Sequence, residues 1–135
     1  MLSNSTQPTD LPSVESTALD LLLNAETFLH NSKGMLQDCP GYTTLKSQLD
    51  LWVPAFRSHV NQAAVDGFRA QRTIDLLRSL HTFLLDDTTR RNIDTAQVGI
   101  REWALLVLPI TAVIALLKGR LHQSPLVQTA TVTRR

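Results

Sequence analysis

The residues able to do chemistry in this 135-residue chain are few, and their spacing does not suit them to it. The histidines are His30, His59, His81 and His122. No two lie one helical turn apart, the spacing that would aim two imidazoles at one metal ion, and no His-Glu-x-x-His motif occurs. The single cysteine, Cys39, excludes a disulfide framework and a multi-cysteine zinc site. Cys39-Pro40 has the form of a haem-regulatory dipeptide or a reactive thiol. Nothing beside it in sequence lowers a thiol pKa, so it reads as a structural loop cysteine. Asp86-Asp87 is an adjacent carboxylate pair at a helix boundary, where such residues cap rather than catalyse. There is no glycine-rich phosphate loop and no G-x-S-x-G elbow. No catalytic residue, cofactor-binding residue or metal ligand is therefore assigned, and the chain is not expected to be an enzyme. Asn4-Ser5-Thr6 matches the glycosylation sequon and reads as a chance match.

Arg69, Arg72, Arg78, Arg90 and Arg91 form the densest basic region, but Asp66, Asp75, Asp86 and Asp87 are interleaved with them. That pattern is a solvated, ion-paired face. With a formal net charge of +1, it gives no electrostatic footprint for nucleic acid, which is not an expected partner. Hydrophobic residues make up 43% and charged residues 19%, which excludes a disordered or collagen-like chain and fits a single folded domain. The charge is unevenly placed. All twelve acids lie within residues 1–102, with nine of the thirteen bases. Only Lys118, Arg120, Arg134 and Arg135 follow.

The elements that position these residues are helical, since apolar residues recur at +3 and +4 and no strand-like alternation is sustained. The N-terminus lacks a basic, apolar signal pattern, and residues 1–11 are expected to be a disordered tail. A first helix starts near Pro12-Ser13 and carries Ala18, Leu22, Ala25 and Leu29. Pro40-Gly41 marks a turn. A second helical segment runs from Thr43 to Leu85 with a kink or break expected at Pro54. Its packing seam is Phe56, Val60, Ala63, Gly67, Ala70, Ile74, Leu77, His81 and Leu84, small in the middle and large at the ends. One bent helix is the favoured reading, and a chain break at Asp66-Gly67 is the alternative. After a reversal at 86–89, a third helix carries Ile93, Ala96, Ile100, Trp103, Val107, Ile110, Ile114 and Leu117. The expected fold is all-α, a small up-down-up bundle of three long, partly kinked helices over 12–102 and 103–117, the last strongly hydrophobic.

That last stretch reads WALLVLPITAVIALL from Trp103 to Leu117, with no charge and one clearly polar side chain, Thr111. Leu105, Leu106, Leu108, Ala112, Val113 and Leu116 fill the positions off the seam, where a surface helix would be polar. A helix apolar all round is buried in protein or in lipid. Fifteen residues rise about 22 Å against a hydrocarbon core of roughly 30 Å. Snorkelling Arg101, Lys118 and Arg120 extend the span, and Trp103 stands where an interfacial anchor belongs. Two partner helices cannot surround such a helix, so lipid or further copies of the chain must cover the rest. The membrane-anchor residues are Trp103, Leu106, Val107, Ile110, Val113, Ile114 and Leu117, flanked by Lys118 and Arg120 and followed by a basic tail over 118–135.

In layout, a polar N-terminal region followed by one hydrophobic segment and a short basic tail resembles tail-anchored proteins. The short span with basic flanks is closer to mitochondrial or peroxisomal anchors than to secretory ones. The positive-inside rule points the other way, toward a cytoplasmic tail, so the orientation is open. The leading expectation is a non-catalytic adaptor or tether. It would present a helical docking surface to protein partners at an organelle membrane such as the mitochondrial outer membrane or the peroxisome. The alternative is a soluble cytoplasmic helical subunit whose hydrophobic third helix is the core of a homo-oligomer or larger complex.

Overall fold

The computed structural model describes residues 13–62, 65–97 and 99–122. The expected tail over 1–11, most of the basic tail, and Ala63 of the seam lie outside them. Among the described residues every regular element is an α-helix. The elements are α1 (Val14–Asn31), α2 (Lys33–Leu36), α3 (Tyr42–Asn61), α4 (Gly67–Leu85), α5 (Asp87–Ala96) and α6 (Ile100–His122).

Each long helix has a local reason to begin where it does. Ser13 caps α1, its hydroxyl accepting the Ser16 N–H at 3.0 Å. Gly41, at φ +87°, turns the chain into α3. Asp66 caps α4 and Asp86 caps α5, accepting from the N–H groups of Arg69 and Thr88. The Asp86-Asp87 pair is thus a helix start. Cys39 is buried, and the Asn92 side chain donates to its sulfur at 3.3 Å and to the Met35 carbonyl at 2.9 Å. That clamp ties α2 to α5 at one end of the molecule.

The three-helix expectation needs correction. Residues 43–85 are not one bent helix. α3 ends at Asn61 and α4 begins at Gly67, with the Asp66 cap between them. Pro54, by contrast, neither ends nor divides α3. It lies on an exposed face, where water can satisfy the carbonyl that its missing N–H leaves free. The third segment also divides. Gln97 (φ 55°) and Gly99 (φ 79°) are both left-handed, so α5 and α6 are separate helices.

Four contacts set the directions. Tyr42 at the start of α3 donates to the Leu29 carbonyl at the end of α1. Its ring also lies 6.2 Å from that of Phe83, at the end of α4. Trp103 at the start of α6 donates to the Leu84 carbonyl at the end of α4. Arg120, near the end of α6, pairs with Glu15 at the start of α1. Each neighbouring pair is therefore antiparallel. The packed pairs α1–α3, α3–α4, α4–α6 and α6–α1 close an up-down-up-down four-helix bundle. The end of α3 at Asn61 and the new start at Gly67 make this possible, because α4 then packs antiparallel against α3.

Two joints in this frame carry predictions. The buried Trp52 indole donates to Thr73 Oγ1 at 2.9 Å, and that hydroxyl donates to the Arg69 carbonyl at 2.9 Å. Thr73→Val leaves the indole N–H dry and unpaired. A loss of about 1–3 kcal/mol is expected, seen as a lower urea midpoint at unchanged slope. At Gly99 an added Cβ would meet Phe28 Cε1 at 3.3 Å in a left-handed backbone. Gly99→Ala is expected to cost about 1–2 kcal/mol, read in the same way.

Candidate functional site

No cluster of His, Cys, Asp or Glu suited to a metal ion occurs among the described residues. Glu26 on α1 and Asp50 on α3 are neighbouring carboxylates that perturb each other. Glu26 is held above the usual carboxylate range by burial first and by its neighbour Asp50 second. Asp50 is drawn below its usual value, chiefly by its hydrogen bond from Lys46 at 3.0 Å. The Lys46–Asp50 pair lies within α3, one helical turn apart. The arginine-rich face of α4 is ion-paired at Arg69–Asp66 (2.7 Å) and Arg78–Asp75 (3.8 Å), and Arg72 lies over the Trp52 ring.

The Asp66 cap also titrates. The Arg69 N–H bond, then the Arg69 charge, hold its carboxyl below the ordinary value. A depressed native pKa adds stability that is present above about pH 4 and lost as pH falls through the native value. Asp66→Asn keeps the capping oxygen but not the titration, and should flatten the acid limb of a stability–pH curve in this range.

The unusual surface belongs to α6. Leu106, Ile110, Val113 and Leu117, at steps of +4, +3 and +4, are buried against α4 and α1. Trp103, Val107, Ile114 and Leu121 are half-buried beside them. Outside this face lie Leu105, Leu108 and Leu116, exposed by 60, 76 and 51%. Ala112 and Ala115 are exposed with them. One helix thus has an apolar face inside the bundle and an apolar face outside it. Within Ile100–Leu121 an eighteen-residue window has a mean hydropathy of 2.0, so the helix is long and apolar enough to cross a membrane, and 22% of that window is buried.

The nine expected anchor residues fall into different environments. Leu106, Ile110, Val113 and Leu117 are core, while Val107 and Ile114 line its edge. Trp103 donates its indole N–H to the Leu84 carbonyl at 2.8 Å. Arg120 pairs with Glu15 at 2.9 Å, and Lys118 is exposed. Of the expected seam, Phe56, Ala70, Ile74, Leu77 and Leu84 are buried, and Val60 and Gly67 are half-buried. They belong to two helices, so the seam is not continuous.

Beside the outer face, a cleft of about 700 Å³ opens between α1, α2 and the start of α6. Phe28, Met35, Leu105 and Leu106 line it, with Asn24, Thr27, Asn31 and Glu102 at its rim. The sequence reading missed it. Its one legible signal is the uncharged polar stripe Asn24, Thr27 and Asn31 at +3 and +4 on α1.

Fold and surface together define a small antiparallel four-helix bundle with an uncovered apolar face on its last helix. Comparison with family models, curated proteins and solved structures gives no match for the chain.

Proposed function

We propose that the chain is a non-catalytic adaptor or tether that presents a helical docking surface at an organelle membrane, with α6 as its membrane element. The observation that supports this most is the outward face of α6. A helix with a window of mean hydropathy 2.0 that served only as a soluble core would bury most of its length, and this one buries four positions of eighteen. Water-exposed leucines at 105, 108 and 116 form a contiguous apolar patch of the kind that marks an interaction or membrane site. The layout, with basic residues after the helix, favours the mitochondrial outer membrane or the peroxisome.

A second reading has its own support. Leu106, Ile110, Val113 and Leu117 are part of the bundle interior, as expected for a soluble subunit whose α6 lies at the centre of a homo-oligomer. Fractionation of cells expressing the full-length chain separates the two. Recovery in the membrane pellet with an organelle marker supports the tether. Recovery in the soluble fraction at a multiple of 15.0 kDa supports the oligomer and rejects the tether.

A further inference from the structure

We infer that the cleft between α1, α2 and the start of α6 is a binding site for a small organic cation, an amine carried on an apolar body. This goes beyond the tether reading and does not depend on how α6 meets a membrane.

The cleft has the size and build of a small-molecule site. Its volume of about 700 Å³ lies within the range of roughly 300–1,000 Å³ typical of such sites. The buried Phe28 and Leu106 and the half-buried Met35 give it an apolar lining. Asn24, Thr27 and Asn31 add uncharged amide and hydroxyl groups able to orient a ligand.

Charge selects the ligand. Glu102 is the one charged residue among those that line the cleft. It pairs with no cation among the described residues. Lys33 and Arg101 are exposed nearby in the chain, but neither lines the cleft. α1 brings its C-terminal end to the cleft and α6 its N-terminal end. The two helix dipoles therefore oppose each other, and the carboxylate sets the sign. A protonated amine beside Glu102 gains a charge-assisted hydrogen bond, while an anion there is repelled.

Gly34 is a second, independent sign. It lies in α2, and an added Cβ would meet nothing within 4 Å. Its φ is not left-handed, unlike those of Gly41 and Gly99. Neither backbone nor packing within the chain requires glycine there, although glycine weakens a helix. Gly34 lines the cleft, where a bare backbone lets a ligand approach closely.

The test is two-dimensional NMR of the nitrogen-labelled full-length chain, titrated with phenylbutylamine, phenylbutanol and phenylbutyrate. The three share one apolar body and differ in charge at neutral pH. Phenylbutylamine is expected to bind on the order of tenfold more tightly than phenylbutyrate, with the alcohol between them and salt narrowing the gap. Shifts should centre on the amides of Phe28, Gly34, Met35 and Glu102. Glu102→Gln should bring the three affinities together. Gly34→Leu grows into the open space of the cleft and should abolish binding of all three. A melting temperature no lower than the parent's shows that each variant remains folded. Equal affinities in the parent chain, or tighter binding of phenylbutyrate, would overturn the inference. Shifts centred on Leu108, Ala112 and Leu116, or no binding at all, would overturn it too. Each of these results leaves the tether reading standing, because cell fractionation tests that reading separately.

Discussion

A chain ending after Glu102 is expected to lose its cooperative fold. The cut removes Leu106, Ile110, Val113 and Leu117, each at most 3% exposed. It also removes the Arg120–Glu15 pair and the Trp103 bond to Leu84. At about 1.5–3 kcal/mol for each fully buried aliphatic side chain, the four core residues alone represent on the order of 10 kcal/mol. Total stabilities of domains this size are about 5–15 kcal/mol. Faces of α1 and α4 left uncovered would drive aggregation. The expected observations are a broad, non-cooperative thermal trace, dye binding to exposed apolar surface and poor solubility. A truncated chain that stayed monomeric and melted sharply would show that α6 contributes nothing essential to the bundle, as a freely detachable anchor requires.

That expectation differs from what the sequence alone suggests, and the reason is physical. The all-helical class was legible because the +3/+4 recurrence on α1, α4 and α6 is a local property of each segment. The helix start near Pro12-Ser13 and the capping role of the Asp86-Asp87 pair were legible for the same reason. The helix count was not. The spacing from Phe56 to Leu84 runs unbroken through Ala63 and Gly67, and periodicity is blind to a reversal that keeps phase. Asp66, an N-cap residue before Gly67, was the available sign of a new start. Gly99, left-handed at φ 79°, was the corresponding sign before α6. The count matters to function. In a three-helix bundle two partners cannot cover an apolar helix. In the observed four-helix square α6 packs, among the described residues, chiefly on α1 and α4. The uncovered arc therefore survives the correction, while the inner arc becomes structural. The Trp103 bond to the Leu84 carbonyl was not readable at all, because an indole at a helix start suits an interface or a backbone carbonyl equally well.

The sharpest contrast between the two faces should come from one substitution made two residues apart. Ile110 is fully buried, and Leu108 is 76% exposed. Ile110→Asp places an unpaired carboxylate where α6 meets the bundle and removes an aliphatic side chain as well. A loss of about 4–5 kcal/mol or more is expected, enough to unfold much of the protein at neutral pH. Leu108→Asp should stay within about 0.5 kcal/mol of the parent, because its carboxylate remains in water. The pH dependence separates the mechanisms further. Burial raises the pKa of an aspartate, so the native Ile110→Asp protein binds a proton more tightly than the unfolded chain. Its stability should therefore rise as pH falls through that raised value toward the unfolded one of about 4. The native Asp66 contribution has the opposite sign, since it is lost in acid. Urea midpoints across an acid-to-neutral series would thus fall toward neutral pH for Ile110→Asp and follow the parent for Leu108→Asp. Equal behaviour of the two variants would mean that α6 is not docked by the face that carries Ile110.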